Sequence, residues 1–178
     1  TLEATLLGSD PGTDVALLQV EAKDLVEIAF ADVSTVAVGD YVVAIGNPFG
    51  IGQTVTSGIV SALGRAGINS DNYEDFIQTD AAINLGNSGG ALVDMEGNLI
   101  GINTAIISGS GGSNGIGFAV PTDMVASVMD HLKRDGEVRR GLLGVAIADA
   151  TPEIVAALEV NVDHGAVVTS VMPDSAAE

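Results

Sequence analysis

Glycines set between short runs of β-branched residues are the feature that most restricts what this chain can fold into. It has 23 glycines in 178 residues, roughly twice the usual share of about 7%. They punctuate runs rich in Val, Ile, Ala and Thr at 14–20, 41–45, 54–63, 91–93, 99–107 and 116–120, and a strand-like pattern is already present at Thr1. Residues of that kind suit a pleated, half-buried surface, and glycine suits the turns that join such segments. Gly46-Asn-Pro-Phe-Gly50 ends one run, and Met95-Glu-Gly-Asn98 links two others as a hairpin. Strand after strand with no helix between them predicts an all-β barrel or sandwich over 1–120.

The pattern changes after residue 121. Residues 122–135 predict a helix, with Thr122 as its cap, Asp123 in its first turn and Gly136 at its end. Met124, Val125, Val128, Met129 and Leu132 form its apolar stripe, and Lys133 and Arg134 fall in its last turn. The expected organisation is a first domain at 1–135, a charged linker at 136–141, and the start of a second domain at 142–178. Within the second, 142–147 and 166–171 read as strands, and Thr151-Pro152 opens a short helix reaching about Glu159. That segment is too short for an independent core.

Charge and composition exclude several functions. Six basic residues stand against 24 acidic ones, a formal charge of −18. Nucleic acids and anionic membranes both require Lys and Arg, so neither is an expected partner. There is no cysteine, which removes thiol catalysis, disulfides and thiolate metal sites. No apolar run approaches the roughly 18 residues of a membrane span. No metal or cofactor is expected: the acidic residues are scattered, the two histidines are isolated, and Gly109-Ser-Gly-Gly112 lacks the Lys and helix of a phosphate cradle. Two loops stand out, a polar one at 64–75 with an acidic run from Asp71 to Asp75, and a flexible Gly/Ser-rich one at 108–115.

The chemistry centres on Gly86-Asn-Ser-Gly-Gly90. Small neighbours let a carbonyl approach the Ser88 hydroxyl, and a sharp glycine turn aims amide N–H groups at one point, as an oxyanion hole needs. Two enzyme arrangements fit a serine in this setting, beside the plain reading as a β-turn. A nucleophile elbow needs a helix after the serine, then Asp and His later in the chain. His131 and His164 follow Ser88, but a hairpin is expected after it, and both histidines read as surface residues. The chymotrypsin-type arrangement places His first, Asp second and Ser third. Asp14, at the entrance to a buried strand, fits the second position.

A more specific likeness follows from longer segments. Thr13-Asp-Val-Ala-Leu-Leu, Gly39-Asp-Tyr-Val-Val-Ala-Ile-Gly-Asn-Pro-Phe-Gly50, Thr54-Val-Thr-Ser-Gly-Ile-Val-Ser61, Gln78-Thr-Asp-Ala-Ala-Ile-Asn84, Gly86-Asn-Ser-Gly-Gly90 and Gly115-Ile-Gly-Phe-Ala-Val-Pro121 occur in this order. Together they resemble the HtrA (DegP/DegQ/DegS-like) family of serine proteases. The resemblance implies a chymotrypsin-like double β-barrel, here without its first strands, followed by the start of a PDZ domain. It implies an ATP-independent, trimer-based endopeptidase of the periplasm or cell envelope that degrades unfolded proteins, some members also acting as chaperones.

Carried over residue by residue, the resemblance makes Ser88 the nucleophile and Asp14 the triad acid. The backbone N–H groups of Gly86 and Ser88 become the oxyanion hole, with Asn87 shaping the loop. Ile83 is one wall of an uncharged S1 pocket, and Ile106 and Ile107 the other, which favours small or medium aliphatic side chains. The 64–75 loop becomes the regulatory loop, with Arg65 a candidate anchor to a carboxylate. Leu143, Gly144 and Val145 become the PDZ loop that receives a peptide's C-terminal carboxylate. One departure stands against this pattern: the family's histidine belongs before Asp14, and no histidine precedes it. The 178 residues are therefore expected to be an excerpt of a longer protease, inactive alone. The alternative is an inactive peptide-binding chaperone or scaffold with a PDZ module.

Overall fold

The computed structural model describes residues 2–68, 73–109, 111–162 and 164–178. Part of the acidic run at 71–75, Ser110 of the Gly/Ser-rich loop and Asp163 lie outside the described residues. The chain divides into two compact units, Thr1–Val138 and Arg139–Glu178.

Among its described residues, the first unit holds eight strands, one α-helix and two single-turn 3-10 helices (Val33–Thr35 and Pro48–Gly50). Strands β1 (Ala4–Asp10) and β2 (Val15–Val20) pair as an antiparallel two-stranded sheet. Six strands then close into a barrel: β3 (Tyr41–Gly46), β4 (Thr54–Arg65), β5 (Phe76–Thr79), β6 (Ala91–Val93), β7 (Leu99–Ile106) and β8 (Gly117–Pro121). Around the barrel they run β3-β4-β5-β8-β7-β6, with β3 and β6 closing the ring. Closure leaves no free edge in this sheet.

Side-chain alternation builds the interior. Val42 and Ala44 of β3 face inward, where they meet Val60, Ile77, Leu92, Ile100 and Ala119. Strand β8 is buried along its whole length, because the barrel core covers one face and helix α1 (Thr122–Asp135) the other. Between barrel and helix, Phe76, Phe118, Val120 and Val125 form a second cluster. The all-β expectation for 1–120 therefore holds, as a closed barrel beside a two-stranded sheet.

Two local details of the first unit differ from expectation. Strand β5 was not expected; four residues are too few to display a period, and its place comes from pairing with β4 and β8. Thr122 is not the helix cap. The chain passes from β8 straight into the helix, so Pro121 occupies the cap position and Thr122 is the first helical residue. Its hydroxyl donates instead to the Ala31 carbonyl at 3.5 Å. Gly136 ends the helix as expected, at φ 75°, donating to the Leu132 carbonyl.

The second unit contains β9 (Val145–Asp149), α2 (Pro152–Ala157) and β10 (Ala166–Val171), with β9 and β10 antiparallel. Thr151 caps α2 by accepting from the Ile154 N–H, with Pro152 at the first helical position. The first strand begins three positions later than the sequence predicted. Leu142 and Leu143 precede it, exposed, because Gly144 turns the backbone there with φ +77°.

Candidate active site

Ser88 stands exposed on the turn between β5 and β6, and the barrel holds that turn by its backbone. On one side the Asn47 N–H donates to the Gly86 carbonyl at 3.2 Å and the Phe49 N–H to the Leu85 carbonyl at 3.0 Å. On the other, Gly89 N–H donates to the Asn103 carbonyl and Asn103 N–H to the Gly90 carbonyl, each at 2.8 Å. Inside the turn, Asn87 N–H reaches the Asn84 carbonyl at 2.9 Å. The fully buried Asn87 side chain donates to the Ala82 carbonyl at 3.4 Å.

The glycines make this clamping sterically possible. A Cβ on Gly86 would stand 2.5 Å from the Asn47 carbonyl oxygen, and φ there is +99°. A Cβ on Gly90 would stand 2.0 Å from the Ile45 carbonyl oxygen. No side chain fits at either point without moving β3 or its following turn. Among the described residues, the N–H groups of Gly86 and Ser88 have no acceptor, whereas those of Asn87, Gly89 and Gly90 are engaged. Two donors flanking an exposed hydroxyl are what a developing oxyanion requires.

Asp14 comes to the same place from the other sheet. It lies just before β2 at φ 58°, on a turn closed by Thr13 and Asp14 N–H groups bonding back to Asp10 and Pro11. Beneath it, the buried Thr13 hydroxyl donates to the Asp10 carboxylate at 2.6 Å.

Thr104 joins the two. Its carbonyl accepts from the Ser88 hydroxyl at 2.8 Å, and its own hydroxyl donates to the Asp14 carboxylate at 2.5 Å. The β7–β8 register shifts between Asn103 and Ala105, so Thr104 is the bulged residue. A bulge breaks the strict two-residue alternation and re-aims the groups it carries. Asn103 fixes the strand beside it, its buried amide donating to Ala91 and Ile45 carbonyls at 3.1 and 3.4 Å. Sequence reasoning assigned Thr104 no role, and a threonine in a strand gives no signal of a bulge.

A cleft of about 350 Å³ opens beside Ser88, lined in part by Ile83, Leu85, Thr104 and Ile106. None of its described lining residues is charged. Ile83 is fully buried, whereas Ile107 is about half exposed and is not part of the lining. His131 does not belong to this constellation. His131 sits on α1 with its Nδ1 on the Ser127 carbonyl at 2.8 Å, and His164 lies in the second unit. Arg65, a candidate anchor to a carboxylate, donates through Nε to the Gln78 amide oxygen at 2.9 Å. The expected loop at 64–75 starts later, since β4 continues through Arg65, and its far end meets the Asp14 turn, where Tyr73 N–H donates to the Gly12 carbonyl at 2.7 Å. In the second unit, the Leu143 carbonyl accepts from Ala177 N–H at 3.0 Å and the Gly144 carbonyl from Met172 N–H at 2.7 Å.

Known proteins resemble this chain in sequence and in fold. A family model described as a trypsin-like peptidase domain matches residues 1–102. The periplasmic serine endoprotease DegP of Escherichia coli K12 is 54% identical over 176 residues, 98% of this chain and 37% of that protein. The periplasmic pH-dependent serine endoprotease DegQ of the same organism is 53% identical over 174 residues, 97% of this chain and 38% of that protein. A solved structure of the HtrA-type protease AlgW with a tripeptide matches at TM-score 0.86 and 54% identity, covering 96% of this chain and 57% of that one. The chain thus spans well under half the length of these curated relatives.

Proposed function

This chain belongs to the HtrA-type branch of the trypsin-like serine peptidases, and from that premise we propose that the whole protein is a periplasmic endopeptidase cleaving unfolded polypeptides. The observation that carries this reading is the meeting of Ser88 and Asp14 on the two sides of Thr104. Ser88 Oγ attacks the scissile carbonyl carbon, and its proton passes to a histidine outside these 178 residues. Asp14 orients that histidine and stabilises its charged form. The oxyanion of the tetrahedral intermediate sits on the N–H groups of Gly86 and Ser88. Collapse expels the amine, which takes the proton from the imidazolium, and water then releases the acyl group from Ser88.

The uncharged cleft formed by Ile83 and Ile106 supports small or medium aliphatic side chains at the cleavage point. The segment Leu143-Gly144-Val145 is the proposed receiver of peptide C-terminal carboxylates, in a PDZ domain that begins near residue 142. Among the described residues β9 pairs only with β10, so its other edge is open to a peptide strand. A trimer-based assembly follows from the family likeness. The open β9 edge would serve equally a second reading, a peptide-binding scaffold without turnover.

One experiment separates the two. In the whole protein a fluorophosphonate probe is expected to label Ser88, and an unfolded casein-like substrate is expected to be degraded. Both activities should vanish in Ser88→Ala. Full proteolysis retained by Ser88→Ala would exclude Ser88 as nucleophile, and absence of both activities in the unaltered protein would favour the scaffold.

A further inference from the structure

Asn84 uses its backbone and its side chain on different parts of the site. Its carbonyl accepts the Asn87 N–H and so begins the Ser88 turn. Its side-chain Oδ1 reaches away and accepts the Ser113 N–H at 2.8 Å. Residues 111–115 include Gly111 and Gly115 at φ 81° and 84°, and Gly112 between them. A stretch of that composition has little conformational preference of its own, so a bond to a barrel-anchored residue decides where it lies.

The cleft beside Ser88 has one wall that is fixed and one that depends on this bond. Ile83 cannot retreat: it is fully buried, and its Cδ1 would stand 2.9 Å from a Cβ on Gly117 of β8. Gly111, two residues before Ser113, forms part of the opposite lining, and Asn84 itself lines the cleft between the two. A Cβ on Gly112 would lie 3.8 Å from Asn84 Oδ1, so the residue before Ser113 also runs beside this side chain.

We propose that the Asn84–Ser113 hydrogen bond sets the width of the cleft, which makes Asn84 a specificity-determining residue that restricts the bound substrate side chain to small aliphatic groups. The proposal rests on the peptidase reading of Ser88. With the bond cut, 111–115 is free to withdraw while Ile83 and Ser88 stay in place. Larger side chains such as Leu and Phe then gain access to the same nucleophile. Discrimination by one or two methylenes in an apolar pocket is typically tenfold or more, which sets the scale of the effect.

The bond can be cut from either end in the whole protein. Asn84→Ala removes the acceptor, and Ser113→Pro removes the donor N–H. Cleavage sites in a reduced, alkylated protein substrate are mapped by mass spectrometry. Cleavage after Leu and Phe relative to Val should rise about tenfold in each variant, and the double variant should exceed neither. Unchanged site profiles in both single variants would overturn the proposal. So would a shift in Asn84→Ala alone, which would mean that Asn84 touches the substrate rather than holding the wall. Loss of all cleavage together with fluorophosphonate labelling in both variants would also overturn it, by assigning the bond to the oxyanion turn. Failure of the unaltered protein to cleave or label sinks the peptidase reading instead.

Discussion

The Ser88 turn and the Asp14 turn meet at one residue but are held in opposite ways. Ser88 is positioned almost wholly by backbone: its turn bonds to the end of β3 on one side and to β7 on the other, inside a closed barrel. Asp14 sits on a short turn closed by two backbone bonds, and side chains place its carboxylate, through Thr13 on Asp10 and Thr104 across from it. Its turn also receives Tyr73 of the 64–75 loop. A backbone clamp fixes an atom regardless of which side chains surround it, provided that glycine permits the approach. A side-chain clamp can be released by one substitution or by movement of one loop. The nucleophile therefore has a fixed address, and the carboxylate's address depends on its neighbours.

Substitutions in the whole protein can break this contrast, beginning with the largest effect. Ser88→Ala removes the attacking atom and should lower kcat by about 10⁶-fold, measured by single-turnover cleavage. Asp14→Asn keeps the shape but offers the imidazole the wrong partner, and should cost about 10⁴-fold in kcat with the fold intact. Gly86→Ala drives a methyl into the Asn47 carbonyl. It should cost about 10²–10³-fold in kcat through the oxyanion site, with KM little changed. Thr104→Val deletes the hydroxyl that reaches Asp14 and leaves the carbonyl that Ser88 uses. A loss of about tenfold in kcat, with stability lowered by only about 1 kcal/mol in urea titration, would fit a side-chain clamp. If Thr104→Val were silent while Gly86→Ala stayed severe, the Asp14 turn would prove as self-sufficient as the Ser88 turn.

The same contrast separates what the sequence discloses from what it hides. Gly86 and Gly90 beside Ser88 are legible because a backbone that must pass close to another backbone excludes every side chain but hydrogen, and Gly89 because its φ of +80° suits glycine. The runs around Val42, Val60 and Ile100 are legible because alternate burial imposes a period. Thr104 was invisible, since its role comes from a register shift between Asn103 and Ala105 that no residue type announces. Asn84 was hidden for a related reason: its partner lies 29 positions away across the cleft. Ile107 shows the limit in the other direction. It shares composition and neighbourhood with Ile106, yet β7 ends between them, and only Ile106 lines the cleft.

Closure of the barrel also has a consequence in time. A ring of paired strands cannot fray from an edge, so the amide protons of β3 to β8 exchange with solvent only when the ring itself opens. The Ser88 turn bonds to β7 and to the turn that follows β3, so the hydroxyl keeps its place for as long as the ring stays shut. In hydrogen-exchange measurements the barrel amides, and those of Asn87 and Gly89 with them, should therefore lose protection together rather than strand by strand.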